Sequence, residues 1–138
     1  RPPINGQVPG AVVALGTIEG TDLSAFYWRR VDEGYAYCVG VAGTDVNAVF
    51  CVKNSALDVS LARMGSFDIL TGPYAGQRLH VWRVPAATSV ASFSVEGTAR
   101  RQYPQEGIVA FLAPIGDYVE VKAQDVDGGR LQVLLASS

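Results

Sequence analysis

The stretch YAYCVGVAGTDVNAVFCVK, residues 35–53, decides how this chain is read. Its halves, Tyr35–Ala42 and Asn47–Lys53, are rich in β-branched and aromatic residues, and Gly43-Thr44-Asp45-Val46 separates them. Two such runs around a short turn-forming break predict a β-hairpin. In an antiparallel hairpin the numbers of facing residues sum to a constant. A four-residue loop sets Ala42 opposite Asn47, the constant is 89, and Cys38 falls opposite Cys51. Directly opposed residues have Cβ atoms roughly 4.5–5.5 Å apart, close to the roughly 3.5–4.5 Å of a disulfide, so a small adjustment closes the bond. A Cys38–Cys51 disulfide is therefore expected, and closing so short a loop stabilises by roughly 3 kcal/mol in the loop-entropy model. The competing reading of the two cysteines is a pair of buried free thiols. No metal site is expected, because His80 is the sole histidine and no C-x-x-C pair occurs.

Working outward, a three-residue Asp32-Glu33-Gly34 turn pairs Val31 with Tyr35 and so places Trp28 opposite Cys38. The other face of these strands carries Tyr37, Val39, Val41, Phe50 and Val52; both faces are apolar, and the sequence leaves open which points inward. Near the C-terminus, Val119, Val121 and Ala123 alternate with Glu120, Lys122 and Gln124. Leu131, Val133 and Leu135 form a matching set, and a three-residue Asp127-Gly128-Gly129 turn keeps both sets on one face.

Further short apolar runs lie near Ala11–Ile18, Ala25–Val31, Phe67–Thr71, Arg78–Val84, Ser89–Val95 and Gly107–Leu112. Eight to ten short strands punctuated by Gly, Pro, Asn and Asp predict an all-β fold, a two-sheet antiparallel β-sandwich. The segment 55–64 is the one rival signal. Leu57, Leu61 and Met64 fall at helical spacing, with Ser55 and Asp58 as a capping pair, while Leu57, Val59 and Leu61 also alternate as a strand would. A short helix near 55–64 is the expectation, with a strand as the alternative.

The 138 residues suit a single domain, 11–138, after a linker-like, proline-rich segment 1–10. Apolar residues make up 49% and charged residues 17%, which calls for a packed core rather than disorder. A net charge of −2, with Arg29-Arg30 and Arg100-Arg101 as the basic doublets, argues against a nucleic-acid partner. No apolar run reaches the roughly 18–20 residues of a membrane span, and the chain opens on Arg1, so it is expected to be a processed piece that once followed a signal peptide or membrane anchor.

Trp28, the Cys38 and Cys51 pair, Val84-Pro85 with Val90, Val95-Glu96-Gly97 and the final Val121–Leu131 hairpin together resemble a pattern of actinobacterial extracytoplasmic domains, many attached to membrane-anchored regulators. The resemblance covers about the last four fifths of the chain and departs at Gly129. It implies a secreted or membrane-tethered β-sandwich and carries no active site to transfer.

Catalytic signatures are sparse. Ser-His-Asp or Cys-His chemistry requires an oriented imidazole, and His80 is the sole candidate. On a strand, His80 and Trp82 share a face opposite Leu79 and Val81, so His80 is expected as a partly exposed surface histidine. Acid–base pairs could be drawn from Asp68, Glu96, Glu106, Asp117, Asp125 and Asp127, most of which read as turn residues. Asp125-Val126-Asp127-Gly128 opens like a calcium loop, but Gly129 holds the third ligand position and the distal Glu is missing, so a turn is expected. No cofactor is implied. Aromatic residues offer a binding surface: Tyr74 and Tyr103 in loops, with His80 and Trp82 as the strand-borne alternative.

The expectation that follows is a non-catalytic extracytoplasmic domain that senses or binds a protein or small ligand at the cell surface. A carbohydrate-binding, adhesion or structural module of a larger secreted protein is the alternative, and a hydrolase is third.

Overall fold

A computed structural model describes residues 12–29, 34–53, 62–85, 88–95, 98–124 and 130–137. The expected linker 1–10 lies outside these residues, as do Glu96, Asp125 and Asp127. The described chain forms strands β1 (Val13–Thr17), β2 (Ser24–Arg29), β3 (Tyr35–Gly43), β4 (Val46–Lys53), β5 (Ala62–Asp68), β6 (Gln77–Arg83), β7 (Val90–Val95), β8 (Thr98–Gln102), β9 (Ile108–Pro114), β10 (Tyr118–Gln124) and β11 (Arg130–Ser137). All pairings are antiparallel, and no helix occurs among the described residues. The all-β expectation holds. The hydrogen-bonded sheets number three rather than two, with strand orders β1-β2-β3-β4, β11-β10-β7-β8 and β5-β6-β9.

The central hairpin has the expected register. Cys38 pairs with Cys51 and Ala42 with Asn47, and the ladder continues to Gly43 opposite Val46, so the turn is the two residues Thr44-Asp45 rather than four. A positive φ of 59° at Asp45 permits the tighter turn without moving the register. The Cys38 and Cys51 Cα atoms stand 4.0 Å apart and the disulfide is formed. Trp28 pairs with Cys38, as expected.

Of the face left open by the sequence, Val39 and Val41 join the core; Cys38, Trp28 and Gly40 on the other side are buried as well.

Three expectations need correction. The final hairpin pairs Val121 with Leu134 and Ala123 with Gln132, one residue away from the expected register; next to the turn Gln124 pairs with Arg130, two residues away, and a bulge between Ala123 and Gln124 with an extra residue on β11 takes up one of the two. The helix expected near 55–64 lies mostly outside the described residues, but its last part, Ala62–Met64, is in β5, where strand pairing with β6 wins over helical spacing. Lastly, Thr98–Gln102, which the sequence marks only by the Arg100-Arg101 doublet, forms strand β8, with Arg100 paired to Phe93 and Arg101 to Ser92.

The β5-β6-β9 sheet is packed on both faces. Leu79, Val81, Ile108 and Ala110 join one apolar cluster with Ala25, Val39, Val41 and Ala48 of the first sheet. The alternate residues Trp82, Val109, Phe111 and Ala113 join a second cluster with Ala91, Phe93, Val119 and Val121 of the β7–β10 sheet. A strand buried on both faces reads as a continuous apolar run, and β9, Ile108-Val109-Ala110-Phe111-Leu112-Ala113-Pro114, has that form.

Candidate binding groove

Strand β9 has one hydrogen-bonded neighbour, β6, so its other edge must find partners elsewhere. Along an antiparallel strand, alternate residues direct both backbone groups to the same side. The outward-directed positions of β9 are Ile108, Ala110, Leu112 and Pro114, and three of them are occupied locally. Ile108 exchanges hydrogen bonds with Gln105, donating to its carbonyl at 2.9 Å and accepting from its N–H at 3.2 Å. The turn between them has φ of 54° at Glu106 and 73° at Gly107, the left-handed pair of a type I′ turn. Pro114 has no N–H, and its carbonyl accepts from the Asp117 N–H at 3.2 Å.

At Ala110 the partner is a side chain. The Gln102 Nε2 donates to the Ala110 carbonyl at 2.6 Å, while Gln102 Oε1 accepts from the Ala110 N–H at 2.7 Å. The primary amide reproduces the hydrogen-bond pair of a neighbouring strand. It also joins β8, the edge of one sheet, to β9, the edge of another. For Leu112, the last outward position, no described residue supplies a hydrogen bond to its N–H or carbonyl.

This edge forms the floor of a groove between β1 and β8. Gln102, Ile18 and Glu19 divide it into two hollows of about 330 and 340 Å³. Leu15, Arg101, Tyr103, Ile108 and Ala110 line the first; Arg100, Phe93, Phe111, Leu112 and Pro114 line the second. Phe111 is stacked on Phe93 with ring centroids 4.0 Å apart, so the second hollow has an aromatic wall. Arg100 and Arg101 are exposed and make no ion pair with a described residue.

The residues singled out from the sequence separate. Tyr103 is 69% exposed on the groove rim. Tyr74 sits elsewhere, its hydroxyl donating to Asp22 Oδ1 at 2.6 Å and accepting from the Asp22 N–H at 2.9 Å. Thr44 donates to Asp22 Oδ2 through its hydroxyl at 2.6 Å and its N–H at 3.1 Å. Thr44 and Tyr74 hold the Asp22 carboxyl below its ordinary pKa, and the same carboxylate raises that of Tyr74.

His80 and Trp82 correct the expected surface. His80 is fully buried and Trp82 is 1% exposed, because the face they share is the second core rather than solvent. The His80 ring stacks on Phe111 at 5.0 Å, and neither ring nitrogen has a hydrogen-bond partner among the described residues. Burial, aided by Arg63 and Arg78, pushes its pKa down to about 4. A neutral, enclosed imidazole of this kind is packing material.

Of the carboxylates weighed for acid–base work, Asp68 is engaged by the Arg78 guanidinium through Nε and, at 3.0 Å, Nη2. Glu106 occupies the turn before β9. Among the described residues no group of three or more His, Cys, Asp or Glu side chains is placed to hold a metal ion. The groove residues Gln102, Leu112, Arg100 and Arg101 escaped sequence reasoning; the signal for them was β9, whose unbroken apolar run marks a strand packed on both faces. No protein-family model, curated protein or solved structure matches this chain.

Proposed function

We propose that this is a non-catalytic, extracytoplasmic binding domain, secreted or membrane-anchored, that holds a partner at the cell surface in the groove over β9. The observation that carries the reading is the convergence of three strand edges, β1, β8 and β9, on one open groove that has an exposed tyrosine on its rim and, among the described residues, a backbone position without a hydrogen bond and two arginines without an ion pair. Edges are ordinarily covered or blunted; where one stays open in a cleft, it is a binding feature. The Cys38–Cys51 disulfide supports the compartment, since such bonds persist in oxidising surroundings. For the architecture, we read each outer sheet and the β5-β6-β9 sheet as the two layers of a β-sandwich, a reading supported by the apolar cluster at each interface.

A photo-crosslinking amino acid in place of Tyr103, compared with one in place of Asn47 on β4 at the far edge of the first sheet, tests the groove in the native cell. Discrete adducts are expected from position 103 and none from 47. Equal labelling at both, or none at 103, removes the proposal.

A further inference from the structure

We infer that the occupant of the groove is an extended polypeptide segment bearing carboxylate side chains, added as a strand beside β9 at Leu112 and taking over the Ala110 hydrogen bonds now made by Gln102. The inference rests on the groove being the binding site. Its first ground is the hydrogen-bond pattern of the floor: Ala110 already binds an amide oxygen and an amide nitrogen, the two groups a peptide presents, while Leu112 two residues on lacks a described partner. Extended chain repeats every two residues, roughly 6.6–6.8 Å, so one added strand meets both positions in register. Neither hollow by itself takes in both positions, since Ala110 lines the first and Leu112 the second. A ligand that spans them must run along the floor through the place of the Gln102 side chain, and a rotating side chain can vacate it.

The second ground is charge. Arg101 lines one hollow and Arg100 the other, whereas the charge shared by both hollows is the single Glu19. Residues two apart in an extended strand share a face and lie roughly 6.6–6.8 Å apart, the spacing of Ala110 and Leu112, so acidic residues at i and i+2 bring one carboxylate to each hollow and its arginine. A second copy of this chain is a poorer occupant. Its own β9 edge is recessed between β1 and β8 in the same way, and two recessed edges cannot approach each other.

The test uses the full disulfide-bonded chain, labelled with ¹⁵N and titrated with the end-blocked peptide Thr-Val-Glu-Val-Glu-Val-Thr. Parallel titrations use its analogue with the three central amides replaced by esters and the analogue with Lys for Glu. Saturable shifts confined to the β1, β8 and β9 amides are expected, with Leu112 amide exchange slowed. The ester analogue should bind at least ~10-fold more weakly, as loss of peptide donors to the edge requires, and the lysine analogue weaker still. Gln102→Ala should tighten binding several-fold by removing the competing amide; if its spectrum shows loss of fold, Gln102→Asn, too short to reach Ala110, takes its place. Equal binding of amide and ester peptides overturns strand addition, and so does the absence of groove shifts at millimolar peptide. Concentration-dependent dimerisation through these amides also overturns it and assigns the groove to a second copy. If any of these occurs while the Tyr103 crosslink persists, the groove reading stands and only the occupant is wrong.

Discussion

The two sides of the β5-β6-β9 sheet meet their neighbours in opposite ways. On the β5 side the seam is closed by contact. The Phe50 ring of β4 lies over Gly65 of β5, so near that a Cβ there would sit 2.3 Å from Cδ1. Farther along, Asp45 crowds Gly72, whose φ of +84° is itself a conformation that favours glycine, and Asp22 ties the Thr44 turn to Tyr74. On the β9 side the seam is bridged by the Gln102 amide and otherwise leaves a groove. Ring contact, shape fit and the Asp22 hydrogen bonds close the first seam; at the second, above the shared apolar cluster, the two hydrogen bonds of Gln102 are the bridge. The difference places stability on one side of the molecule and, on the function proposed above, binding on the other, because a packed seam cannot admit a ligand without losing its contacts.

The largest expected effect lies within the closed side. Removal of the disulfide in Cys38→Ala/Cys51→Ala should cost roughly 3 kcal/mol of unfolding free energy by urea denaturation. Because the bond spans only β3 and β4, its loss should leave the groove amides of β8 and β9 unshifted in an NMR spectrum of the folded protein. Changes at β9 as large as those at β3 would mean that the two seams are one mechanical unit.

Acid should separate the seams in the other direction. His80 has a folded pKa of about 4 against an ordinary 6.5, so the unfolded chain binds the extra proton between these values. Stability from this residue is therefore complete above pH 6.5, falls as pH drops toward 4, and changes no further below it. A shift of this size corresponds to about 3 kcal/mol at order of magnitude. The ring stacks on Phe111, which lines the groove, so hydrogen exchange should accelerate in β9 before β3 and β4 as pH falls. His80→Leu should abolish that part of the pH dependence and cost little at pH 7, since it removes two buried nitrogens without partners among the described residues. A variant with the wild-type acid profile would show that another group is responsible.

A smaller effect tests the closed seam directly. Gly65→Ala should force the Phe50 ring to shift and cost about 2 kcal/mol, the usual scale of overpacking. The double variant Gly65→Ala/Phe50→Leu should recover part of this loss, and additive losses in a double-mutant cycle would contradict the contact.

Much of the closed side was legible in the sequence and little of the open side was. The hairpin register followed from turn length and alternation, because Tyr35–Lys53 carries both signals and the cysteines check them independently. The groove depends on which strand edges lie next to each other across sheets, and no local spacing encodes that. Thr98–Gln102 stands outside the expected strands because its sequence, Thr-Ala-Arg-Arg-Gln, has no apolar alternation and shows only as a basic doublet. His80 misled for a related reason. Alternation along Arg78–Arg83 gave the correct faces, but the assumption that a polar face meets solvent fails in a sheet packed on both sides. The loop position of Tyr103 was legible because the proline that follows it ends a strand without any knowledge of topology.

The smallest expected effect is the one most informative about the open seam. Gln102→Ala removes two hydrogen bonds, each worth on the order of 1 kcal/mol net, but water in the groove can replace both. The expected loss is therefore about 1 kcal/mol or less, below that of Gly65→Ala, and it is measured by urea midpoint at unchanged m-value. With the amide gone, the Ala110 amide proton should also exchange faster, toward the rate of Leu112, while the β6 pairing of Val109 and Phe111 holds. A loss of 3 kcal/mol or more would mean that Gln102 is a structural lock and that the β8–β9 seam, like the β4–β5 seam, is built to stay shut.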